Sequence, residues 1–284
     1  ETVADVVAVG DDIGRVAVGD RVLVPFQVSC GACDQCRAGR FAGCRPCRAS
    51  AGAAFGFGPA GGDHGGAVAD LLAVPHADHL LVDCPTAIDT AAACTLPDNV
   101  LDAYRTVGPQ LADRPGADVL VLGGTAASIG LYAVAWAHCL GAGSLRYVDD
   151  DPARLAVAES IGAEVIHHEG EWPRRFDRAQ VTVDNTGDAA GLLTAIRSTD
   201  DYGTCTLIAI HFEPTTPMPL LELYTRGVSF HTSRADSRRY LPEVLTHVAA
   251  GTFDPGVVPT TVVDWDEAAE RWLDPATKLI VQRT

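Results

Sequence analysis

The sequence is poor in basic residues and contains no long apolar run. Its 284 residues include 21 Lys and Arg against 37 Asp and Glu, a net charge of −16. An acidic surface repels phosphate backbones and anionic lipid, so neither nucleic acid nor a membrane is expected as a partner. No apolar stretch is long enough to span a bilayer, and residues 1–10 lack the basic start and apolar core of a signal peptide. We therefore expect a cytoplasmic location.

Composition indicates a folded chain with an unusual group of cysteines. Apolar residues make up 47% of the chain, enough for one large domain or two modest ones. Four of the nine cysteines, Cys30, Cys33, Cys36 and Cys44, stand close together. Four thiolates at such spacings can enclose a tetrahedral zinc ion with no open position, which predicts a structural zinc site. The alternatives are a redox thiol pair or a chance cluster, and Cys47 is a further candidate with a less suitable spacing.

Two patterns of secondary structure succeed each other along the chain. Short β-branched segments, among them Asp5–Val9, Arg21–Val24 and Ala67–Val74, alternate with Gly and Pro and suggest a small irregular β-barrel. The stretch Ile88–Val107 is expected to be largely helical and to end at Gly108-Pro109. Strands and helices alternate after that point, which predicts an α/β fold with a parallel sheet covered by helices on both faces.

A glycine-containing turn, Gly123 to Gly130, links the first strand of the alternating region to the following helix. Small residues there allow a pyrophosphate to approach backbone N–H groups at the positive end of the helix. The turn therefore predicts a dinucleotide site in which the cofactor contacts Gly124, Ser128, Ile129 and Gly130. A strand-to-helix turn without a ligand is the alternative.

An acidic residue at the end of the second strand indicates which dinucleotide is bound. Asp149 lies 149 − 130 = 19 residues after Gly130. A carboxylate there can accept hydrogen bonds from the adenosine ribose and would repel a 2′-phosphate, so NAD is expected rather than NADP. Asp150 and Asp151 are alternatives, although Asp151 before Pro152 is also typical of a helix N-cap.

Taken together, these motifs resemble the zinc-containing medium-chain alcohol dehydrogenases. The cysteine lobe, the flanking segments Val18–Val22 and Gly61–Ala67, and the nucleotide region follow the order of that family over nearly the whole chain. The resemblance implies a GroES-like β-barrel catalytic domain from residues 1–99 and 234–284, and a doubly wound Rossmann NAD-binding domain from residues 100–233. It also implies a homo-oligomer, dimer or tetramer, that acts on a small alcohol or carbonyl substrate.

The resemblance further assigns roles to individual residues. Asp98 would be a catalytic residue and a ligand of a catalytic zinc, at a position where family members carry Cys or Asp; its local pattern alone favours an N-cap after Pro97. Arg154 would lie beside the adenosine ribose, and Lys278 would face the pyrophosphate. The backbone at Ile210 would line the nicotinamide.

The sequence also departs from the family. Two of the three fingerprint glycines are replaced, by Thr125 and Ala127. The resemblance places the other catalytic-zinc ligands, a Cys and a His, ahead of Glu1, which itself resembles the Glu that follows that His. We therefore expect that the natural chain has an N-terminal segment ahead of Glu1. The possible substitutes, which are more often surface or hydrogen-bonded histidines, are His64, His76 and His79.

The favoured hypothesis is zinc-dependent hydride transfer between an alcohol, or the matching aldehyde or ketone, and NAD. A non-catalytic dinucleotide-binding protein that keeps the fold and the structural zinc is one alternative. A zinc-free NADPH reductase is another. Metal content separates these hypotheses, because only the first predicts two zinc ions per chain.

Overall fold

The structure, a computed structural model, describes residues 1–283 and divides into two compact units. The first unit comprises Glu1–Asp102 and Arg234–Ala250, and the second comprises Ala103–Ser233 and the residues from Gly251 onward. Among the described residues, no helix combines the length and the apolar character that crossing a bilayer requires.

The first unit is built on a three-stranded antiparallel sheet, β1 (Thr2–Asp5), β2 (Arg21–Val24) and β3 (Val82–Asp83). The strand predicted at 5–9 thus lies earlier, and the strand predicted at 67–74 is absent. Residues 67–71 are exposed and have no partner strand, so β-branched residues alone do not produce pairing there. The apolar core beneath the sheet is formed by Val16, Val22, Val24, Val28, Phe55, Leu80 and Leu81.

Four helices belong wholly to the first unit, and a fifth begins at its boundary. These are α1 (Asp34–Arg37), α2 (Ala77–Leu80), α3 (Thr90–Cys94), α4 (Leu101–Asp113) and, much later in the chain, α9 (Ser237–Ala249). A π-helical turn, Leu96–Val100, joins α3 to α4, so the chain is helical almost without interruption from Thr90 to Asp113.

The prediction that Gly108-Pro109 ends the helix is wrong, because α4 continues past Pro109 to Asp113. An internal proline costs about 3 kcal/mol through the lost hydrogen bond and the ring clash. Val107 and Leu111 are buried on either side of it, and burial of such side chains stabilises by about 1.5–3 kcal/mol each. The apolar face of α4 therefore outweighs the local penalty.

The second unit is a doubly wound α/β domain around a six-stranded parallel sheet, in the strand order β6-β5-β4-β7-β8-β9. The order is that of a Rossmann fold and confirms the predicted α/β class. Its strands are β4 (Val119–Leu122), β5 (Leu145–Asp149), β6 (Glu164–His167), β7 (Ala179–Asp184), β8 (Thr199–Leu207) and β9 (Ser229–His231). Its helices between strands are α5 (Ala127–Cys139), α6 (Pro152–Ile161), α7 (Ala189–Ser198) and α8 (Leu220–Arg226).

The C-terminal segment packs within the second unit. It contains α10 (Ala268–Arg271) and a parallel pair of strands, β10 (Thr261–Asp264) and β11 (Leu279–Gln282). Phe253 stacks on Trp136 of α5 with ring centroids 3.7 Å apart, and the Tyr132 hydroxyl donates to the Pro255 carbonyl. This grouping differs from the predicted one, which joined all of 234–284 to the first domain, because contacts with α5 hold residues 251 onward.

Candidate zinc lobe and dinucleotide site

The four clustered cysteines meet in space as a metal-binding group. The ligand atoms of Cys30, Cys33, Cys36 and Cys44 all lie within 4.8 Å of one another. The Sγ atoms of Cys33 and Cys36 are 3.6 Å apart, and those of Cys30 and Cys36 are 4.0 Å apart. Tetrahedral zinc with bonds of about 2.3 Å requires sulfur separations of about 3.8 Å. The donor set therefore fits a structural zinc ion, as the spacing predicted.

Backbone hydrogen bonds favour the thiolate form that zinc requires at Cys30 and Cys33, whereas burial raises the pKa of Cys36. The Cys33 N–H donates to Cys30 Sγ at 3.4 Å, and the Cys30 N–H donates to Cys44 Sγ at 3.3 Å. Backbone N–H groups of Arg45 and Cys36 lower the pKa of Cys33 to about 6. Such bonds stabilise negative sulfur and orient the side chains before the metal arrives.

Cys47 and the candidate histidines lie outside this group. Burial, followed by the neighbouring Cys44, raises the pKa of Cys47 to about 12. His79 Nε2 is 2.9 Å from Ser29 Oγ, and burial, followed by the charge of Arg238, lowers the pKa of His79 to about 4. His79 is therefore a neutral, hydrogen-bonded residue that packs beside the lobe. Within residues 1–283, the four cysteines are the only group of three or more side chains that could share a metal ion.

Asp98 lies at the centre of the π-helical turn rather than at a helix start, which removes the N-cap interpretation. Burial, followed by the charge of the neighbouring Asp102, raises the pKa of Asp98 to about 7. Two carboxyl groups in a shielded position favour a cation between or beside them. The Glu1 carboxylate accepts a hydrogen bond from the Asn99 N–H at 3.1 Å, so Glu1 and Asp98 belong to the same part of the unit. The residues present suit a zinc ligand at Asp98.

The turn between β4 and α5 packs tightly against the end of β7. Gly124 has φ +149°, and a Cβ there would lie 2.7 Å from the Asn185 carbonyl oxygen. A Cβ on Gly130 would lie 2.9 Å from Asn185 Nδ2. Ser128 and Gly130 are both buried within the first four residues of α5. Four predicted cofactor residues (Gly124, Ser128, Ile129 and Gly130) therefore share one strand-to-helix turn.

Asp149 is a buried carboxylate that is held by a strong set of donors. Arg154 Nη2 lies 2.5 Å from Asp149 Oδ1, and Arg154 Nε lies 2.9 Å from Oδ2. The Tyr147 hydroxyl donates to the same carboxylate. Burial alone would raise the pKa of Asp149, but hydrogen bonds from Arg154 and Tyr147 outweigh it and hold that pKa below its usual value. The two predicted ribose residues thus form one ionised pair at the carboxyl end of β5.

The alternatives to Asp149 have other partners. Asp151 caps α6, because its Oδ1 accepts from the Ala153 N–H at 2.7 Å, and Gly162 ends that helix with φ +114°. Asp150 is largely exposed and accepts from Arg154 Nη2 at 2.9 Å. Asp149 is accordingly the buried member of the three.

The remaining predicted cofactor residues are placed on other elements of the second unit. Ile210 is exposed and follows β8. Lys278 precedes β11, and burial lowers the pKa of its ammonium group to about 8. At the end of β7, the Thr186 N–H and hydroxyl donate to Asp184 Oδ1 at 3.2 and 2.8 Å. The cofactor roles of Ile210 and Lys278 remain predictions.

Sequence reasoning missed Tyr147 at this edge of the sheet, and it did not identify the contacts that Asn185 makes. Tyr147 is fully buried and lies two residues before Asp149, so both side chains point to the same face of β5. This alternation of side chains along a strand could have identified Tyr147 as a neighbour of Asp149 from the sequence. Asn185 joins β7 to a turn 60 residues earlier in the chain, and no local pattern indicates such a contact.

One unit carries a dinucleotide edge, the carboxyl edge of the parallel sheet with Asp149 and the turn before α5. The other unit carries the four-cysteine lobe. Together, these two features define a zinc-containing dehydrogenase. Two family descriptions match the sequence: alcohol dehydrogenase GroES-like domain over residues 1–86, and zinc-binding dehydrogenase over residues 128–250. A "probable zinc-binding alcohol dehydrogenase" of Mycobacterium tuberculosis is 30% identical over 275 residues, which cover 95% of this chain and 68% of the relative.

Two further comparisons agree. Formaldehyde dismutase of Pseudomonas putida is 31% identical over 67% of this chain, which spans 49% of that relative. The solved structure of an alcohol dehydrogenase from Thermus sp. ATN1 superposes with a TM-score of 0.87 at 28% identity, covering 99% of this chain and 84% of that one. The chain belongs to the zinc-dependent alcohol dehydrogenases of the medium-chain dehydrogenase superfamily, a family of oxidoreductases that use a nicotinamide cofactor.

We expect the lobe to bind zinc through all four sulfurs. The variant Cys36→Ser should lose about one zinc ion per chain, because a buried hydroxyl is a much poorer zinc ligand than a thiolate. Elemental analysis of purified protein measures the change, and thermal unfolding should show a lower midpoint. Cys139→Ser is the matched control, since Cys139 lies outside the lobe and donates to the Thr252 carbonyl. An unchanged zinc content in Cys36→Ser would contradict the assignment.

Proposed function

We propose that this protein transfers hydride between an alcohol, or the matching aldehyde or ketone, and NAD. The observation that carries the proposal is the buried Asp149–Arg154 pair at the carboxyl end of β5, next to the turn that precedes α5. Ligands of open α/β sheets bind beyond the carboxyl ends of the strands, at the point where strand order reverses. Here the order reverses between β4 and β7, beside the same turn.

The residues of the chain have separate tasks in this reaction. Asp149 would orient the adenosine ribose, and the turn before α5 would receive the pyrophosphate. Asp98 would contribute one ligand, a carboxylate oxygen, to a second zinc ion, a metal whose borderline preference accepts oxygen. When bound, that zinc polarises the substrate oxygen and lowers the pKa of an alcohol. The shielded surroundings of Asp98 would exclude water from the metal.

We expect Asp98→Ala to separate catalysis from cofactor binding. Turnover, followed as NADH absorbance with a panel of primary and secondary alcohols, should fall at least about a hundredfold, because the metal would lose a ligand. The second zinc ion should be lost as well, while NADH affinity stays unchanged. Asp113→Ala, at the exposed end of α4, is the control. Full turnover and full metal content in Asp98→Ala would refute the role of Asp98.

Asp149 also supports NAD as the preferred cofactor. Hydrogen bonds from Arg154 and Tyr147 keep its carboxylate ionised, so a negative charge lies at the end of β5, where it would accept hydrogen bonds from the ribose and repel a 2′-phosphate. This observation disfavours the NADPH reductase. The non-catalytic alternative is not favoured either, because the relatives named above are a dehydrogenase and a dismutase.

The cofactor proposal predicts a shift in specificity for Asp149→Ser. The affinity for NADH should fall about tenfold through the lost charge-assisted hydrogen bonds, and NADPH should bind better because Arg154 becomes available to its phosphate. Fluorescence titration with both cofactors measures the ratio. Asp150→Ser is a close control, since it also removes a contact with Arg154 but at an exposed position. Equal ratios in Asp149→Ser and the unmodified protein would exclude Asp149 as the determinant.

The protein is further proposed to be a cytoplasmic homo-oligomer. The last strand of the parallel sheet, β9, is paired on one side only, and α8, which packs against β8 and directly precedes β9 in the chain, exposes three large apolar side chains. Exposed apolar patches next to an unpaired strand edge are typical of protein interfaces. The three residues are Leu220, Leu221 and Tyr224, with exposures of 70%, 74% and 84%.

The proposed cytoplasmic location is supported by the cysteines. All nine are unpaired, which agrees with a reducing compartment. Cell fractionation tests the location.

Size-exclusion chromatography with light scattering measures the mass of the protein in solution and tests the proposed oligomeric state. The unmodified chain should elute as a dimer or tetramer, and Leu221→Asp combined with Tyr224→Asp should produce a smaller species, because two charges would be buried without partners. Leu273→Asp, at a position exposed to 91% outside this patch, should leave the mass unchanged. A monomer in the unmodified protein at micromolar concentration would end the proposal.

A further inference from the structure

Asn185, the first residue after β7, forms the closest link between that strand and the turn before α5. Its side chain is fully buried. Asn185 Oδ1 accepts from the Ala126 N–H at 3.2 Å, and Nδ2 donates to the Ala126 carbonyl at 2.9 Å. Because one oxygen meets an N–H and one nitrogen meets a carbonyl of the same residue, the orientation of the carboxamide is fixed.

The backbone of Asn185 adds two more bonds to the same region. Its carbonyl accepts from the Thr125 N–H at 3.0 Å, and its N–H donates to the Leu122 carbonyl at 2.9 Å. The peptide groups of Thr125 and Ala126 are therefore both oriented by one residue that is distant in sequence. Asn185 therefore constrains the conformation of the turn through both its side chain and its backbone.

The glycines of the turn leave the space that Asn185 fills. A Cβ on Gly130 would lie 2.9 Å from Asn185 Nδ2, and a Cβ on Gly124 would lie 2.7 Å from the Asn185 oxygen. Both contacts are closer than real Cβ atoms make, apart from very rare cases. Gly124 and Gly130 are thus required by the position of Asn185 as much as by any ligand.

We propose that Asn185 is a positioning residue for the cofactor pyrophosphate, a proposal that rests on the proposed function. Its carboxamide holds Ala126 and its backbone carbonyl holds Thr125, so that the amides opening α5 are oriented toward a phosphate. Neither Thr125 nor Ala127 has a positive φ, so both replacements keep ordinary backbone conformations, which hydrogen bonds from Asn185 hold in place at Thr125 and Ala126. Asn185 supplies that constraint without touching the ligand.

The position of Asn185 predicts which part of the cofactor senses its loss. The adenosine end is held by Asp149 and Arg154 on β5 and α6, to which Asn185 has no hydrogen bond. Removal of the carboxamide should therefore weaken ligands that contain a pyrophosphate and leave adenosine almost unaffected. A general loss of stability would not discriminate between the two ligands.

The experiment compares ADP-ribose, NADH and adenosine as ligands of the full chain. In Asn185→Ala, affinity for ADP-ribose and NADH should fall about tenfold, the loss expected for a buried pair of hydrogen bonds, while adenosine affinity changes less than twofold. Calorimetry suits the first two ligands, and saturation-transfer NMR suits adenosine. Hydrogen exchange of the Ala126 amide in the ligand-free protein should accelerate in the variant, because that N–H donates to the carboxamide.

Thr182→Val is the matched control, because it removes a buried hydrogen bond to Thr199, 2.7 Å long, on the same strand without contact to the turn. It should lower thermal stability but leave all three affinities unchanged. Where Asn185→Ala does not fold, Asn185→Asp keeps the shape and removes the donor to Ala126; it should also bind ADP-ribose at least tenfold more weakly.

The outcomes separate this inference from the proposed function. An unmodified chain that binds neither NADH nor ADP-ribose overturns both. An unmodified chain that binds them, together with an Asn185 variant of equal affinity, overturns only the role of Asn185. Parallel weakening of adenosine and ADP-ribose would also overturn it, since the effect would then be a general loss of structure.

Discussion

The buried carboxylate of Asp149 is the constraint on which the dinucleotide edge depends. An ionised group without partners in a protein interior costs several kcal/mol, so its position is possible only with compensating donors. Arg154 and Tyr147 provide them, one from α6 and one from the same strand. Gly123 completes the arrangement, because a Cβ there would lie 2.1 Å from Asp149 Oδ2. The end of β5, the start of α6 and the turn before α5 are therefore fixed relative to one another.

Sheet topology brings this carboxylate next to the remaining parts of the site. In a parallel sheet all carboxyl ends lie at one edge, and β4 is paired with both β5 and β7. The residues that follow these three strands (Gly123, Asp150 and Asn185) thus come from separate parts of the chain and meet at one edge. The zinc lobe depends on a different and more local constraint, the short turn of α1 that directs Cys33 and Cys36 to one ion.

Features that depend on neighbouring residues were predictable from sequence. The cysteine spacing, the Asp151 cap and the Gly162 stop are all local, and the structure confirms each of them. The parallel sheet followed from the alternation of strands and helices. By contrast, the extension of α4 through Pro109 depends on burial against residues far along the chain.

Other misses have the same physical origin. The π-helical turn around Asp98 inserts an extra residue per turn, and nothing in Leu96–Val100 requires it locally. The segment from Gly251 onward joins the second unit through Phe253 and Pro255, whose partners lie more than 100 residues earlier in the chain. Local propensity gives no information about such contacts.

The replaced glycines at Thr125 and Ala127 illustrate how a motif can change while its geometry is kept. A fingerprint glycine serves either to adopt an unusual backbone angle or to leave room for a neighbour. In this turn the unusual angle belongs to Gly124, and the room is left by Gly130 and, across the sheet edge, by Gly187, where a Cβ would lie 2.8 Å from Thr125 Cγ2. A residue at 125 therefore keeps a side chain because its neighbour at 187 has none. The close approach of these two turns therefore depends on which of the paired positions carries the side chain, and in this chain that position is 125.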